Sequence, residues 1–250
     1  MTKYVYAVLP KTGLCNMLFP WARAAIYARD NACEMIAPRW VKIGRLGPWI
    51  RGETDKRYYI NQFTDNNYIS GVRRALLLMF MRQRIKFFSG IGQGFDAICE
   101  ESEFLRAQLY KIASSAIVRA VRELPDRYIA VHIRRGDFVR IGMAIDPAYY
   151  VRGLEFAREI VGRDVPAIVF SDAPEREIGY LLKSGENVSL APKAPALQDM
   201  LALAKADIVV GTNNSSFSLW GAFLGSGRSI WSKGSLPMRE KCRFGEMMQI

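Results

Sequence analysis

From residue 128 to residue 231 the sequence alternates between short apolar runs and longer amphipathic segments. The short runs have the length and composition of buried β-strands, and the longer segments have a helical period. Alternating strands and helices predict an α/β fold, with a parallel sheet covered by helices on both faces. Strands are expected at 128–133, 166–170, 188–190, 207–211 and 229–231, and helices at 147–161, 174–183, 196–206 and 215–225.

The N-terminal half of the sequence is more irregular. Residues 38–70 are rich in Arg, Trp, Gly and Tyr without a clear period, and they are expected to form long loops. Pro20 is expected in the first turn of a helix or at a kink. Pro125 marks the expected boundary between two domains, 1–125 and 126–250. Other N-terminal elements are expected as strands at 4–9 and 35–36 and as helices at 17–30, 71–88 and 95–124.

Two arginines follow the first strand of the regular region. Arg134 and Arg135 come directly after the apolar run 128–133 and before a turn formed by Gly136 and Asp137. Ligands of open α/β sheets bind just outside the carboxyl ends of the strands. Because a guanidinium stays protonated and its planar fork of donors matches phosphate oxygens, this pair suits a diphosphate. Alternatively, both guanidiniums pair with nearby carboxylates such as Asp137.

Polar loops follow two further predicted strands. Ser171 and Asp172 follow the strand 166–170, and a run of six polar or small residues begins at Gly211. Both loops lead into predicted helices, and a helix N-terminus presents N–H groups that attract anions. The same side chains could instead cap those helices. The residues expected to bind a donor from these loops are Asp172, Asn214, Ser215, Ser216 and Phe217.

His132 is the one histidine of the chain and lies in the first of these strands. It is expected either to position a diphosphate or to be a hydrogen-bonded histidine of the core. Asp137 and Asp146 are candidates for a general base because they lie close to the arginines in sequence. Asp146 precedes Pro147, however, and this pattern is also typical of a helix cap.

The chain carries 35 Lys and Arg against 24 Asp and Glu, a formal charge of +11. This basic, Arg-rich balance favours phosphate-bearing partners such as nucleotides, nucleic acid or anionic lipid. Nucleic acid is not expected as a partner, because no recognition helix or RNA-binding sheet motif is present. The four cysteines are widely separated, which argues against a zinc site and a disulfide framework. A cytoplasmic location is expected, because the N-terminal sequence lacks the pattern of a signal peptide.

Three motifs resemble those of a known enzyme family. HIRRGD (132–137), SDAPE (171–175) and NSSFSLWGA (214–222) are similar to motifs of the bacterial α-1,2-fucosyltransferases of glycosyltransferase family 11. Leu219 replaces one tryptophan of the last motif. GLCNMLF (13–19) resembles the family's opening motif G-L-G-N-Q-[ML]-F, with Cys15 in place of a glycine.

The resemblance implies a GT-B-like fold, in which two Rossmann-like halves face a cleft. It implies an inverting enzyme without a cofactor or metal, with GDP-fucose bound mainly by the domain 126–250 and a glycan acceptor on the side of 1–125. The sequence contains no D-x-D motif, and Arg134 and Arg135 could replace a metal at the departing β-phosphate. The expected catalytic residues are His132, Arg134, Arg135 and Asp137.

The acceptor expected from the resemblance is galactose in a bacterial surface polysaccharide, assembled in some cases on a lipid carrier. Protein O-fucosyltransferases, chitin-oligosaccharide fucosyltransferases and enzymes that use GDP-mannose are the alternatives. The segment 72–88 combines an apolar centre with basic ends, as membrane-surface helices do. It is expected either to contact anionic lipid on the inner face of the plasma membrane or to be a core helix with snorkelling arginines.

Overall fold

The computed structural model describes residues 2–40, 59–185, 187–233 and 246–250. The side chains of Ile60 and Asp137 are outside this description. Residues 41–58 of the predicted loop region, and Cys242, also lie outside the described residues. The chain divides into two compact units, Met1–Ile117 and Val118–Ile250.

The first unit contains a three-stranded parallel sheet with the strand order β2-β1-β3. The helix that follows β1 starts at Leu14, and Pro20 lies inside it rather than in its first turn. The described elements are β1 (Tyr4–Val8), α1 (Leu14–Asp30), β2 (Glu34–Ile36), α2 (Gly71–Phe80), β3 (Ile85–Ser89), α3 (Ser102–Ile112) and α4 (Ser115–Arg122), with short 3-10 helices at Ile60–Gln62, Arg82–Arg84 and Gly94–Ala97.

The second unit contains a six-stranded parallel sheet, and most of its strands and helices match the predicted ones. The last strand was not predicted. The elements are β4 (Ile129–Ile133), α5 (Gly136–Arg140), α6 (Pro147–Val161), β5 (Ala167–Ser171), α7 (Glu175–Leu182), β6 (Val188–Leu190), α8 (Ala196–Lys205), β7 (Ile208–Val210), α9 (Ser216–Leu224), β8 (Arg228–Trp231) and β9 (Glu246–Gln249).

The strand order of this sheet is β6-β5-β4-β7-β8-β9. The chain adds strands on one side of β4, returns, and continues on the other side with β7. This order is that of a dinucleotide-binding Rossmann sheet, and ligands bind where the order reverses, outside the carboxyl ends of the strands. All five residues of β4 are buried, because apolar side chains of α6 cover one face of the sheet and those of α8 the other. The topology therefore predicts a ligand site at the ends of β4 and β7.

The prediction of one helix over 71–88 was wrong. The helix α2 ends at Phe80, and after a short turn the chain forms β3, which pairs in parallel with β1. Ile85 and Phe87 pack into an apolar cluster with Ile36. Periodicity could not separate the two elements, because a short apolar run fits either a helix or a strand and pairing with β1 decides between them.

Candidate functional site

The three polar segments singled out in the sequence lie at one edge of the six-stranded sheet. Their strands are neighbours, with β4 between β5 and β7, and all three run parallel. The backbone N–H of Arg134 donates to Thr212 Oγ1 at 3.0 Å, and that of Arg135 donates to Asp172 Oδ1 at 2.8 Å. The residues after β4 thus contact the residues after both neighbouring strands, at the point where the topology predicts a ligand.

Both arginines form ion pairs. Arg134 Nη1 lies 2.6 Å from Asp172 Oδ2, and Arg135 Nε lies 2.8 Å from Glu177 Oε2. The Arg134 and Arg135 side chains are 32% and 25% exposed, so both remain accessible to a ligand. The expected pairing with carboxylates is therefore confirmed, with Asp172 and Glu177 as partners. A guanidinium has five N–H donors, so one carboxylate contact does not prevent a second contact with phosphate.

The Asp172 carboxylate contacts the backbone of the turn after β4 in addition to the Arg134 guanidinium. Its Oδ1 accepts from the N–H groups of Arg135 and Gly136, at 2.8 and 3.3 Å. A Cβ at Gly136 would lie 2.5 Å from Asp172 Oδ2, so a side chain at this position would displace the carboxylate from its contacts. The capping alternative was wrong for Asp172, because α7 has Pro174 at its N-cap and no side-chain cap.

Thr212 is the centre of a buried hydrogen-bond network that sequence reasoning missed. Its side chain is completely buried, and its Oγ1 donates to the carbonyl of His132 at 2.7 Å while accepting from the N–H of Arg134. The Tyr150 hydroxyl lies 2.9 Å from the same oxygen. The signal available in the sequence was a hydroxyl directly after an apolar strand, where a buried polar group requires partners.

His132 is buried and neutral. Its Nδ1 lies 2.6 Å from Ser218 Oγ, and its ring stacks on Phe217 with centroids 5.1 Å apart. The pKa of His132 is lowered to about 4, chiefly by burial; the negative charge of Asp172 opposes this shift and the positive charge of Arg134 adds to it. The hydrogen-bonded core histidine expected as one alternative is therefore what the structure contains, and His132 carries no positive charge near neutral pH.

The loop between β7 and α9 contains a helix cap. Ser215 is buried and is the N-cap of α9, with its Oγ accepting from the N–H of Ser218, so the capping alternative is confirmed for Ser215. Asn214 is exposed and has a φ of 59°, the left-handed region that asparagine tolerates better than most residues. Ser216 is the first residue of α9 and is half-buried.

The two candidates for a general base, Asp146 and Asp137, lie in different structural elements. Asp146 is the N-cap of α6, and its Oδ1 accepts from the N–H of Ala148 at 2.9 Å, which confirms the cap alternative. Asp137 lies in α5, and its side chain is outside the description. Within the described ranges, no group of three or more His, Cys, Asp or Glu side chains is arranged to hold a metal ion.

Asp199 is a second residue that sequence reasoning missed. It lies in the first turn of α8, which follows β6 at the same edge of the sheet. Burial raises the pKa of Asp199 from 3.8 to about 7. Near neutral pH the Asp199 carboxyl group is therefore protonated in a large fraction of the molecules. The protonated group can donate a hydrogen bond as well as accept one.

Asp199→Asn is expected to stabilise the protein at pH 8 and to have little effect near pH 4. The folded state holds the proton up to about pH 7, whereas the unfolded chain releases it near pH 4, so stability falls as the pH rises through this window. The gain above pH 7 is at most about 4 kcal/mol. Urea unfolding at several pH values measures it, and Asp164→Asn, which removes an exposed carboxylate, controls for net charge. An equal effect of Asp199→Asn at all pH values would contradict the assignment.

The sequence matches the model of one protein family. The family is described as glycosyl transferase family 11, and the match covers residues 51–233. The chain belongs to glycosyl transferase family 11. This family 11 chain has no match among the curated proteins that were compared.

Several solved structures have a similar fold at low sequence identity. The α-1,6-fucosyltransferase NodZ soaked with GDP-fucose has 15% identity and a TM-score of 0.52, over 90% of this chain and 94% of NodZ. NodZ from Bradyrhizobium has 14% identity and a TM-score of 0.55, with 90% and 95% covered. POFUT1 in complex with GDP has 13% identity and a TM-score of 0.57, with 90% and 96% covered. These likenesses confirm the predicted α/β, GT-B-like fold of the family 11 chain.

Proposed function

We propose that this chain transfers L-fucose from GDP-fucose to a hydroxyl group of a glycan. The observation that carries the proposal is the position of Arg134 and Arg135, in a family 11 glycosyltransferase, where the strand order of a Rossmann sheet reverses. A pair of fixed cations at this point suits the diphosphate of a nucleotide sugar. Family membership also disfavours the nucleic-acid-binding alternative.

In the proposed reaction the acceptor oxygen attacks C1 of fucose from the face opposite the diphosphate. The bond between C1 and the β-phosphate oxygen breaks, and GDP leaves with the electron pair, so the anomeric centre is inverted. Negative charge develops on the β-phosphate, and Arg134 and Arg135 stabilise it. Asp137 is proposed to take the proton of the acceptor hydroxyl. His132 supports the site as a neutral group, because its pKa of about 4 excludes a cationic role at neutral pH.

The donor is proposed to bind to the domain 126–250 and the acceptor to face 1–125. Support comes from the six-stranded sheet, where His132 of the first motif contacts Ser218 of the third, and the backbone N–H of Arg135 contacts Asp172 of the second. The residues proposed to form the donor site are His132, Arg134, Arg135, Asp172, Asn214, Ser215, Ser216 and Phe217.

The proposed acceptor is galactose in a bacterial surface polysaccharide, with an α-1,2 linkage. The similarity of the fold to an α-1,6-fucosyltransferase and to POFUT1 keeps other fucosyl acceptors as the second candidate. The purified protein should be incubated with GDP-fucose or GDP-mannose and a panel of galactosides, chitin oligosaccharides and Ser- or Thr-containing peptides. The proposal predicts one deoxyhexose mass shift on a galactoside with GDP-fucose. Transfer from GDP-mannose alone, or no transfer from GDP-fucose to any acceptor, would contradict the proposed function.

Transfer is expected to persist in excess EDTA. The arginine pair takes the place of a divalent cation at the departing diphosphate, and the described residues hold no cluster of metal-ligating side chains. The rate with EDTA should lie within about twofold of the rate without it. Loss of activity in EDTA that magnesium or manganese restores would contradict the assignment of the cationic role to arginine.

The helix α2 supports a peripheral contact with an anionic membrane. Val72, Leu76, Met79 and Phe80 are between 52% and 76% exposed. Their spacing places them on one face of the helix. Leu77 is the one buried residue of α2, which argues against the core-helix alternative.

Positive charge borders this apolar face. The segment 72–88 contains five basic residues and no acidic one, and Arg82, Arg84 and Lys86 are exposed just after α2. Each basic residue near an anionic surface contributes about 1 kcal/mol to binding, and the apolar face adds to this by entering the headgroup region. No helix in the described part of the chain has the length and hydropathy needed to cross a bilayer.

In a flotation assay the protein should rise with vesicles of phosphatidylglycerol and phosphatidylcholine but not with phosphatidylcholine alone. Raised salt should reverse the binding. Phe80→Asp should abolish it, whereas Ile141→Asp, at a similarly exposed apolar residue of the other unit, should leave it unchanged. Failure to float with anionic vesicles at low salt would contradict the membrane contact. A concentration-dependent dimer that Phe80→Asp disrupts would instead assign the face to a second copy.

A further inference from the structure

The carboxylate of Asp172 is occupied on both oxygens. Oδ1 accepts from two backbone N–H groups of the turn after β4, and Oδ2 pairs with Arg134 Nη1 at 2.6 Å. Asp172 therefore connects the backbone of the turn to the guanidinium that the turn carries. A carboxylate in this position would repel a diphosphate if the two met directly, since both are anions.

We propose that Asp172 is a positioning residue for Arg134, which it holds in the orientation that receives the β-phosphate. The inference rests on the proposed function and gives Asp172 a role in the donor site that acts through Arg134. One end of the guanidinium is held by the carboxylate, so the orientation of the planar fork is set before the donor arrives. A preorganised cation stabilises developing charge without reorganising during the reaction, and this is where its catalytic effect originates.

The second ion pair of the site lacks this connection. Among the described side chains, Glu177 contacts Arg135 at Nε without a hydrogen bond to the turn, and it is 37% exposed. Asp172 is 29% exposed and makes three contacts. The geometry therefore ranks Arg134 as the more rigidly positioned arginine, a distinction that the sequence did not provide.

Asp172→Asn tests the inference with little change in shape. Its amide oxygen can keep the two bonds from the turn, but its NH₂ group then faces Arg134 Nη1, and two donors cannot pair. The variant should lower kcat about 10–100-fold, because a misplaced catalytic group loses most of its effect. The donor KM should stay the same or fall, because one negative charge has left the site.

The matched control is Glu246→Gln. Glu246 pairs with Arg228 at 2.7 Å at the start of β8 and β9, which is the opposite edge of the same sheet. Glu246→Gln removes one negative charge from the same unit, as Asp172→Asn does, and it should leave kcat and the donor KM unchanged. Asp172→Ser has a hydroxyl that can still accept a hydrogen bond from the turn, and it should lower kcat as Asp172→Asn does. Asp172→Ser is the variant to measure if Asp172→Asn does not fold.

Three results would overturn the inference. A raised donor KM with kcat retained would mean that Asp172 contacts the donor itself. Unchanged kcat would mean that the ion pair has no catalytic effect. A further large loss when Asp172→Asn is added to Arg134→Ala would mean that Asp172 acts independently of Arg134, since residues that act as a unit are not additive. Wild-type protein that transfers no fucose would instead overturn the proposed function, and the inference with it.

Discussion

Arg134→Ala is expected to lower the rate of fucose transfer about 10²–10³-fold, which corresponds to about 3–4 kcal/mol of lost transition-state stabilisation. The guanidinium lies at the carboxyl end of β4, held by Asp172, where the charge of the departing diphosphate is proposed to develop. Arg134→Lys should also be severely impaired, because an ammonium group cannot make the planar, bidentate contact with phosphate oxygens. Initial rates at saturating acceptor, with the donor varied, give kcat and KM for each variant.

Arg228→Ala is the matched control for this substitution. Arg228 also pairs with a carboxylate, but it lies at the amino edge of the same sheet. Its removal should change transfer by less than about twofold, because a surface ion pair contributes at most about 1 kcal/mol and has no contact with the site. A folded Arg134→Ala protein with the turnover of the wild type would contradict the assignment of the diphosphate site.

Thr212→Val is expected to reduce the free energy of unfolding by about 2–4 kcal/mol and to lower transfer as well. Valine has nearly the shape of threonine, but it leaves the buried carbonyl of His132 and N–H of Arg134 without their partner. Each buried polar group left unpaired costs about 1–3 kcal/mol. Chemical unfolding measures the stability, and the transfer rate reports whether the Arg134 turn has moved.

Thr212→Ser separates the hydroxyl from the methyl group. It keeps the hydrogen bonds and removes one methyl from a completely buried position, so it should cost about 1 kcal/mol and preserve most of the activity. Equal losses in Thr212→Ser and Thr212→Val would mean that packing of the methyl group, and not the network, is what the site requires.

The sequence predicted the second unit well because its signals are local. The central strands β4, β5 and β7 are short and mostly apolar runs, and a parallel sheet buried on both faces requires that pattern. The strand β9 has no such signal, since two of its four residues, Glu246 and Gln249, are exposed polar side chains. It forms because the backbone of β8 is available for pairing, which only the assembled sheet reveals.

The sequence predicted where the candidate site lies but not which side chains contact one another there. Polar residues after three successive apolar strands indicated a common edge, and the structure places Arg134, Asp172 and Thr212 there. The sequence could not show which carboxylate each arginine would pair with, because Arg134 and Asp172 are 38 positions apart and Arg135 and Glu177 are 42 positions apart. The sequence also left His132 between a ligand role and a core role, and it could not show that the ring is buried against Ser218 and Phe217.

A crystal structure with bound GDP would locate the diphosphate site. We expect the diphosphate at the carboxyl ends of β4 and β7, with a β-phosphate oxygen about 3 Å from the guanidinium of Arg134. The ion pair between Arg134 and Asp172 should persist in that complex, with the phosphate on the opposite side of the guanidinium. GDP bound on the first unit, or a diphosphate without contact to Arg134, would contradict the assignment of the donor site.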